Sequence, residues 1–263
     1  MPRVAAYAIC GTPRSGSTLP CRMLAASGVA GRPNSYFRQE DVAGYARRWR
    51  APPGAGSGDA GFDRAYLAAM AREGTGDSGI FGVRIMWPSV ADAARRLGGV
   101  RPADFPSRFA AVFGPACHIH LARLDKVAQA VSLLRAEQSG LWHRAAHGTM
   151  IEGVERPGPV CYDAARIATL VEGMETEDAA WSRLFAECGI EPLRLTCEAS
   201  SDDPRSAVAG ILSALGRDPC IAGIVAADTA RMADGTSRAW VERFRSGLGS
   251  LAATRHDTAE PKG

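Results

Sequence analysis

The segment that most constrains this chain lies near its start. VAAYAIC, residues 4–10, is a short apolar run broken by Gly-Thr-Pro, and LPCRMLAAS, residues 19–27, follows with helical spacing and stops at Gly28. A buried strand, a tight turn and a helix in that order are the opening unit of a layered sheet with strands that run in parallel.

The pattern repeats. IFGVRIMW (80–87) reads as a second buried strand, with a helix at 90–97 after it. CHIHLA (117–122) is a third, followed by a helical pattern over 125–146 that sets Val127, Ala130, Val131 and Leu134 on one face. A helix over 163–188 ends at Gly189, PLRLTC (192–197) is the fourth strand, and a helix at about 203–215 has Gly216 at its end. Between these lie an irregular stretch at 29–45, a Pro- and Gly-rich loop at 51–61 with a helix at 63–73 after it, a proline-broken loop at 98–108, a loop or edge hairpin at 148–160, and a last short helix at 237–246. The expected fold class is α/β: a P-loop-like, mainly parallel sheet with helices on both faces. One domain spans 1–250, and a polar, flexible tail takes 251–263.

Composition narrows the function classes. The chain has 263 residues, 46% of them hydrophobic and 22% charged, which suits a globular protein. A net charge of +3 is too small to point to nucleic acid, but the 31 basic residues include very few lysines, and arginine forks suit the oxygens of a small anion. Seven cysteines without a C-x-x-C pair read as reduced thiols. The apolar run AAYAIC is too short for a signal-peptide core, and nothing approaches about eighteen uninterrupted apolar residues. A cytoplasmic protein without an integral membrane segment is expected.

The turn after the first strand is GTPRSGST, residues 11–18. Gly11 and Gly16 let backbone N–H groups converge on an anion, and the helix after them offers its N-terminal donors. A Walker loop has lysine where Ser17 stands; here the positive charge is Arg14, inside the loop. The second and third strand-like runs also end without the carboxylate that a magnesium nucleotide would want. No metal is therefore expected, and a conventional NTPase is disfavoured.

PRSGST after a first strand resembles the 5′-phosphosulfate loop of sulfotransferases that use 3′-phosphoadenylyl sulfate (PAPS), and RSGSTL is similar in particular to the loop of the bacterial Stf0-type sulfotransferases. GVAGRPNSYF (28–37), FGVRIMW (81–87), HIHLARLDKVAQAVSLLRA (118–136), FAECGIEPLRLTCEAS (185–200) and SRAWVERFR (237–245) resemble further blocks of that family. The resemblance implies PAPS as sulfuryl donor, adenosine 3′,5′-bisphosphate as product, and in-line transfer to a hydroxyl of a carbohydrate, glycolipid or small metabolite. It assigns Arg14, Ser15, Gly16, Ser17 and Thr18 to the 5′-phosphosulfate, Arg123 and Ser132 to the 3′-phosphate, and Arg84 to the sulfuryl group or the acceptor. It also implies a homodimer.

Where the family's trehalose-sulfating members carry a glutamate that looks like the general base, this chain has Ser35, preceded by Asn34. A serine cannot take the proton unaided. Glu40 is the leading substitute, with Asp41, His118 and His120 as alternatives. Two other functional readings are a P-loop kinase and a nucleotide-binding protein that has lost turnover. Cys117 and Arg123 have the C-x5-R spacing of a cysteine phosphatase, but the β-type run between them has no glycine to curl around a phosphate. His143 and His147 have zincin spacing without its glutamate and read as surface histidines of a helix.

Overall fold

The structure, a computed structural model, describes residues 4–51, 59–144, 150–153, 158–226 and 234–257. Its elements in chain order are β1 (Ala6–Gly11), α1 (Thr18–Ala26), α2 (Gln39–Arg48), α3 (Ala60–Thr75), β2 (Phe81–Met86), α4 (Val90–Arg96), α5 (Phe105–Phe113) and β3 (Ala116–Ala122). Then follow α6 (Lys126–Ser139), β4 (Leu141–Arg144), β5 (Met150–Gly153), α7 (Ala164–Glu187), β6 (Leu193–Thr196), α8 (Cys197–Asp202), α9 (Pro204–Ala214) and α10 (Gly235–Asp257). Where the sequence leads to one domain, the chain divides into two compact units: residues 1–124 with 176–228, and residues 125–175 with 229–263.

The first unit holds a four-stranded sheet in the order β2-β1-β3-β6, parallel throughout. The strand pleat sends alternate side chains to opposite faces. Ala6, Ala8 and Cys10 join Phe81, Val83 and Ile85 on one face, where they pack with residues of α2 to α5 and with Trp181, Leu184 and Phe185 of α7. Tyr7, Ile9, Ile119 and Leu121 take the other face, against α1 and α9. This is the expected α/β sandwich, and all six residues of β1 are buried. Strand order reverses at β1, because the chain steps from β1 to β2 on one side and from β2 back to β3 on the other. Ligands of open parallel sheets bind outside the strands' carboxyl ends at such a reversal.

The second unit has its own core: Ala130, Val131, Leu133 and Leu134 of α6, Ile167 and Met174 of α7, and Trp240, Val241 and Phe244 of α10. The antiparallel pair β4-β5 belongs to it.

Four local expectations are corrected. The stretch read as irregular to 45 becomes helical from Gln39, since Val42 and Ala46 are one turn apart and both buried. The proline-broken loop contains α5, because Pro106 stands at the helix start, where a missing N–H costs nothing. The helix expected to run to 146 ends at Gly140, which takes the left-handed conformation (φ 69), so His143 falls in β4 and not on a helix. His147 lies outside the described residues. The last helix extends to Asp257, through the start of the segment assigned to the tail; residues 258–263 lie outside the description.

Candidate active site

β1 delivers its carboxyl end into residues 12–17, and the close approach of β3 fixes Gly11: a Cβ there would lie 2.6 Å from the Leu121 carbonyl oxygen. Trp181 Nε1 donates to the Gly11 carbonyl at 2.8 Å, so the start of the loop is held from α7. The Ser15 N–H then bonds the Thr12 carbonyl at 3.2 Å. Within the turn Arg14 (φ 65) and Gly16 (φ 82) are left-handed, while Ser17 is right-handed (φ −63). Such alternation turns successive N–H groups to one side and forms an anion-binding nest. Arg14 is not glycine, so its left-handed backbone carries strain of about 1–3 kcal/mol.

Three observations fit an anion in this nest. Ser15 is fully buried, and its Oγ has no hydrogen-bond partner. A buried hydroxyl left unpaired costs about 1–3 kcal/mol, and an anion in the cradle would relieve it. Ser17, the N-cap of α1, makes no side-chain cap bond, and the first turn of α1 holds no acidic residue. The helix end is thereby left to attract negative charge.

Arg84 reaches the same region from β2. It is buried, with Nε donating to Ser35 Oγ at 2.7 Å and Nη1 to Thr18 Oγ1 at 2.9 Å, while its backbone N–H bonds the Asn34 carbonyl at 3.0 Å. One guanidinium thus joins the head of α1 to the segment after it. That segment is pinned at Gly31 (φ 70), where a Cβ would meet the Ile80 and Gly74 carbonyl oxygens at 2.4 and 2.5 Å.

Arg123 follows β3, and its Nη1 lies 3.4 Å from the Arg14 carbonyl oxygen. Gly16 lies against α8, since a Cβ on it would sit 2.6 Å from Cys197 Sγ. Glu198 of the same helix accepts from the Leu124 N–H at 3.1 Å, which fixes the turn after Arg123. Arg14, Ser15, Gly16, Ser17, Thr18, Arg84 and Arg123 are therefore brought together in the first unit. Ser132 belongs to the second unit, half-buried on α6.

The expected bases fare differently. Glu40 stands in the first turn of α2, 73% exposed, and ion-pairs with Arg38 at 3.4 Å; Asp41 pairs with the same arginine. There it serves the positive end of the helix, paired and largely in solvent, rather than lying in the loop region. His118 and His120 are buried among aromatic rings, His118 beside Phe109 and Phe185 and His120 beside Phe185. Burial pushes His118 down to about 4, so it is neutral near pH 7 and belongs to the core. Cys117 sits on a regular strand, as its dismissal as a phosphatase nucleophile requires. Trp181, Cys197 and Glu198 were not legible as site residues, because their sequence signals are those of ordinary helix positions.

The comparisons with known proteins bear on this geometry. The Stf0 sulphotransferase family model matches residues 6–247. The chain belongs to that family. It is similar to the trehalose 2-sulfotransferase of Mycobacterium tuberculosis (strain ATCC 35801 / TMC 107 / Erdman), 29% identical, with 91% of this chain and 94% of that protein covered. The trehalose 2-sulfotransferase of Mycolicibacterium smegmatis (strain ATCC 700084 / mc(2)155) is 30% identical over the same shares. A crystal structure of a sulfotransferase from Alicyclobacillus acidocaldarius aligns over 97% of each chain at 15% identity and TM-score 0.45. The protein is a sulfotransferase of the Stf0 kind. Among the described residues no helix is long and apolar enough to cross a membrane.

Proposed function

We propose that this sulfotransferase takes its sulfuryl group from PAPS and transfers it to a hydroxyl of a carbohydrate, glycolipid or small metabolite. The observation that carries the reading is the nest at the strand-order reversal, with buried Ser15 Oγ unpartnered inside it. PAPS supplies a sulfuryl group on a phosphate leaving group. The protein's part is to hold that phosphate, neutralise the charge that grows on it, and present the acceptor in line.

In this reading the loop amides, Arg14 and the hydroxyls of Ser15, Ser17 and Thr18 bond the 5′-phosphate oxygens. Arg123 takes the 3′-phosphate. Arg84, already oriented by Ser35 and Thr18, faces the sulfuryl oxygens. Two relatives that act on trehalose support a carbohydrate hydroxyl as acceptor. Arg32, Asn34 and Ser35, which the resemblance sets apart from the trehalose-sulfating members, favour a different sugar or metabolite.

Calorimetric titration with adenosine 3′,5′-bisphosphate in metal-free buffer tests the donor. Micromolar or tighter binding is expected, weakened at least tenfold in Arg14→Ala. No binding, or binding only of ATP with magnesium, would overturn the reading in favour of a kinase. Labelled PAPS incubated with a metabolite extract then identifies the acceptor by its sulfated product.

A further inference from the structure

The transfer needs a group to take the acceptor's proton; Ser35 has no basic group, Glu40 is 73% exposed in an ion pair with Arg38, and His118 lies in the aromatic core. α7 carries another carboxylate. This helix leads into β6, which runs parallel to β3, so its C-terminal end lies at the amino edge of the sheet and the chain before it toward the carboxyl edge. Trp181 marks the level of the loop: its indole bonds Gly11, and its ring meets that of Trp87, just past β2, edge-on at 5.2 Å between centroids. Glu177 is four residues earlier on the same helical face, about 6 Å farther along the axis in the direction of the strands' carboxyl ends.

We infer that Glu177 is the general base of the sulfuryl transfer, the role that Ser35 cannot fill. Glu177 Oε2 is buried and has no hydrogen-bond partner. A structural carboxylate in that position would normally hold an arginine or a backbone N–H. Burial raises its carboxyl to about 7, and Asp178, the one charged neighbour acting on it among the described residues, pushes the same way. A base with that affinity accepts a proton near neutral pH and needs no metal.

The step balances. The acceptor oxygen bonds sulfur as the bond between sulfur and the bridging phosphate oxygen breaks. The electron pair leaves with adenosine 3′,5′-bisphosphate, and the acceptor's proton goes to the Glu177 carboxylate. This role rests on PAPS as donor.

The test compares the full chain with Glu177→Gln and Asp178→Asn. Two readouts are taken on each: bisphosphate binding by calorimetry, and label transfer from PAPS to a metabolite extract between pH 5.5 and 8.5. Glu177→Gln should bind the bisphosphate as the parent does, lose at least about 100-fold in transfer rate, and lose the rise of rate through about pH 7. Asp178→Asn should keep the rise but at lower pH, because a like charge has been removed. A Glu177→Gln enzyme within tenfold of the parent, or one that keeps the pH rise, would overturn the role. A parent that binds bisphosphate but transfers nothing would overturn it too, and leave the donor reading standing. A parent that does not bind bisphosphate would remove the donor reading itself.

Discussion

Arg84 shows how much one side chain does in this site. Its Nε and Nη1 hold two hydroxyls on separate segments, which a rigid planar fork can do and a lysine ammonium cannot at the same two distances. Arg84→Lys should therefore lower the transfer rate at least tenfold and leave bisphosphate affinity within about threefold, read by rate and calorimetry on one sample. Glu177 makes a stability prediction independent of turnover. Its folded carboxyl is raised above the unfolded value of about 4.5, so it favours folding below that pH and loses that contribution as pH climbs through about 7. Glu177→Gln should melt at higher temperature than the parent at pH 8, and the gap should close at pH 4.5. His118 works in the opposite sense, since its depressed value of about 4 costs stability as pH falls below about 6.5.

At the scale of elements, glycines set the path of the chain at two places where side chains cannot follow. Gly31 combines φ 70 with two backbone oxygens closer than 3 Å to any added Cβ, and neither oxygen can rotate away. Gly31→Ala should destabilise the protein by more than about 2 kcal/mol in urea unfolding. Gly16→Ala adds backbone strain at φ 82 but its close contact is a cysteine side chain and not a carbonyl oxygen, so it should cost less stability than Gly31→Ala and chiefly weaken the nest. The four parallel strands and α1, α3, α4, α7 and α9 were legible because each is an apolar run or helical period set off by glycine, proline or a polar break. α2 and α5 were not: a polar helix such as α2 shows its period mainly through Val42 and Ala46, and Pro106 reads as a breaker until its place at the first turn is known.

For the whole molecule, the sequence told more about the donor than about the acceptor. Arg14, Ser15, Gly16, Ser17 and Thr18 are contiguous, so their chemistry can be read as a motif. Trp181 and Cys197 reach the loop only through folding, across separations that no local pattern records. The division into two units, each with its own core, was likewise hidden, because α7 is one uninterrupted helical pattern that serves both. Ligand linkage gives a test at this scale. Adenosine 3′,5′-bisphosphate at a hundredfold excess over its Kd should add about 2.7 kcal/mol to the stability of the chain that binds it. Scanning calorimetry with and without ligand reads that gain as a rise in Tm of several degrees.

The bond from Trp181 to Gly11 spans 170 positions of sequence. β1, the turn and α1 look like a portable cassette, a short stretch that could be cut out and set into another sheet with its anion chemistry intact. They are not one, because the first carbonyl of the turn is satisfied by an indole that the cassette does not contain. A graft of residues 6–26 alone would bring the glycines and the arginine but not the buried donor that sets where the turn begins. A working transplant has to take that stretch of α7 along.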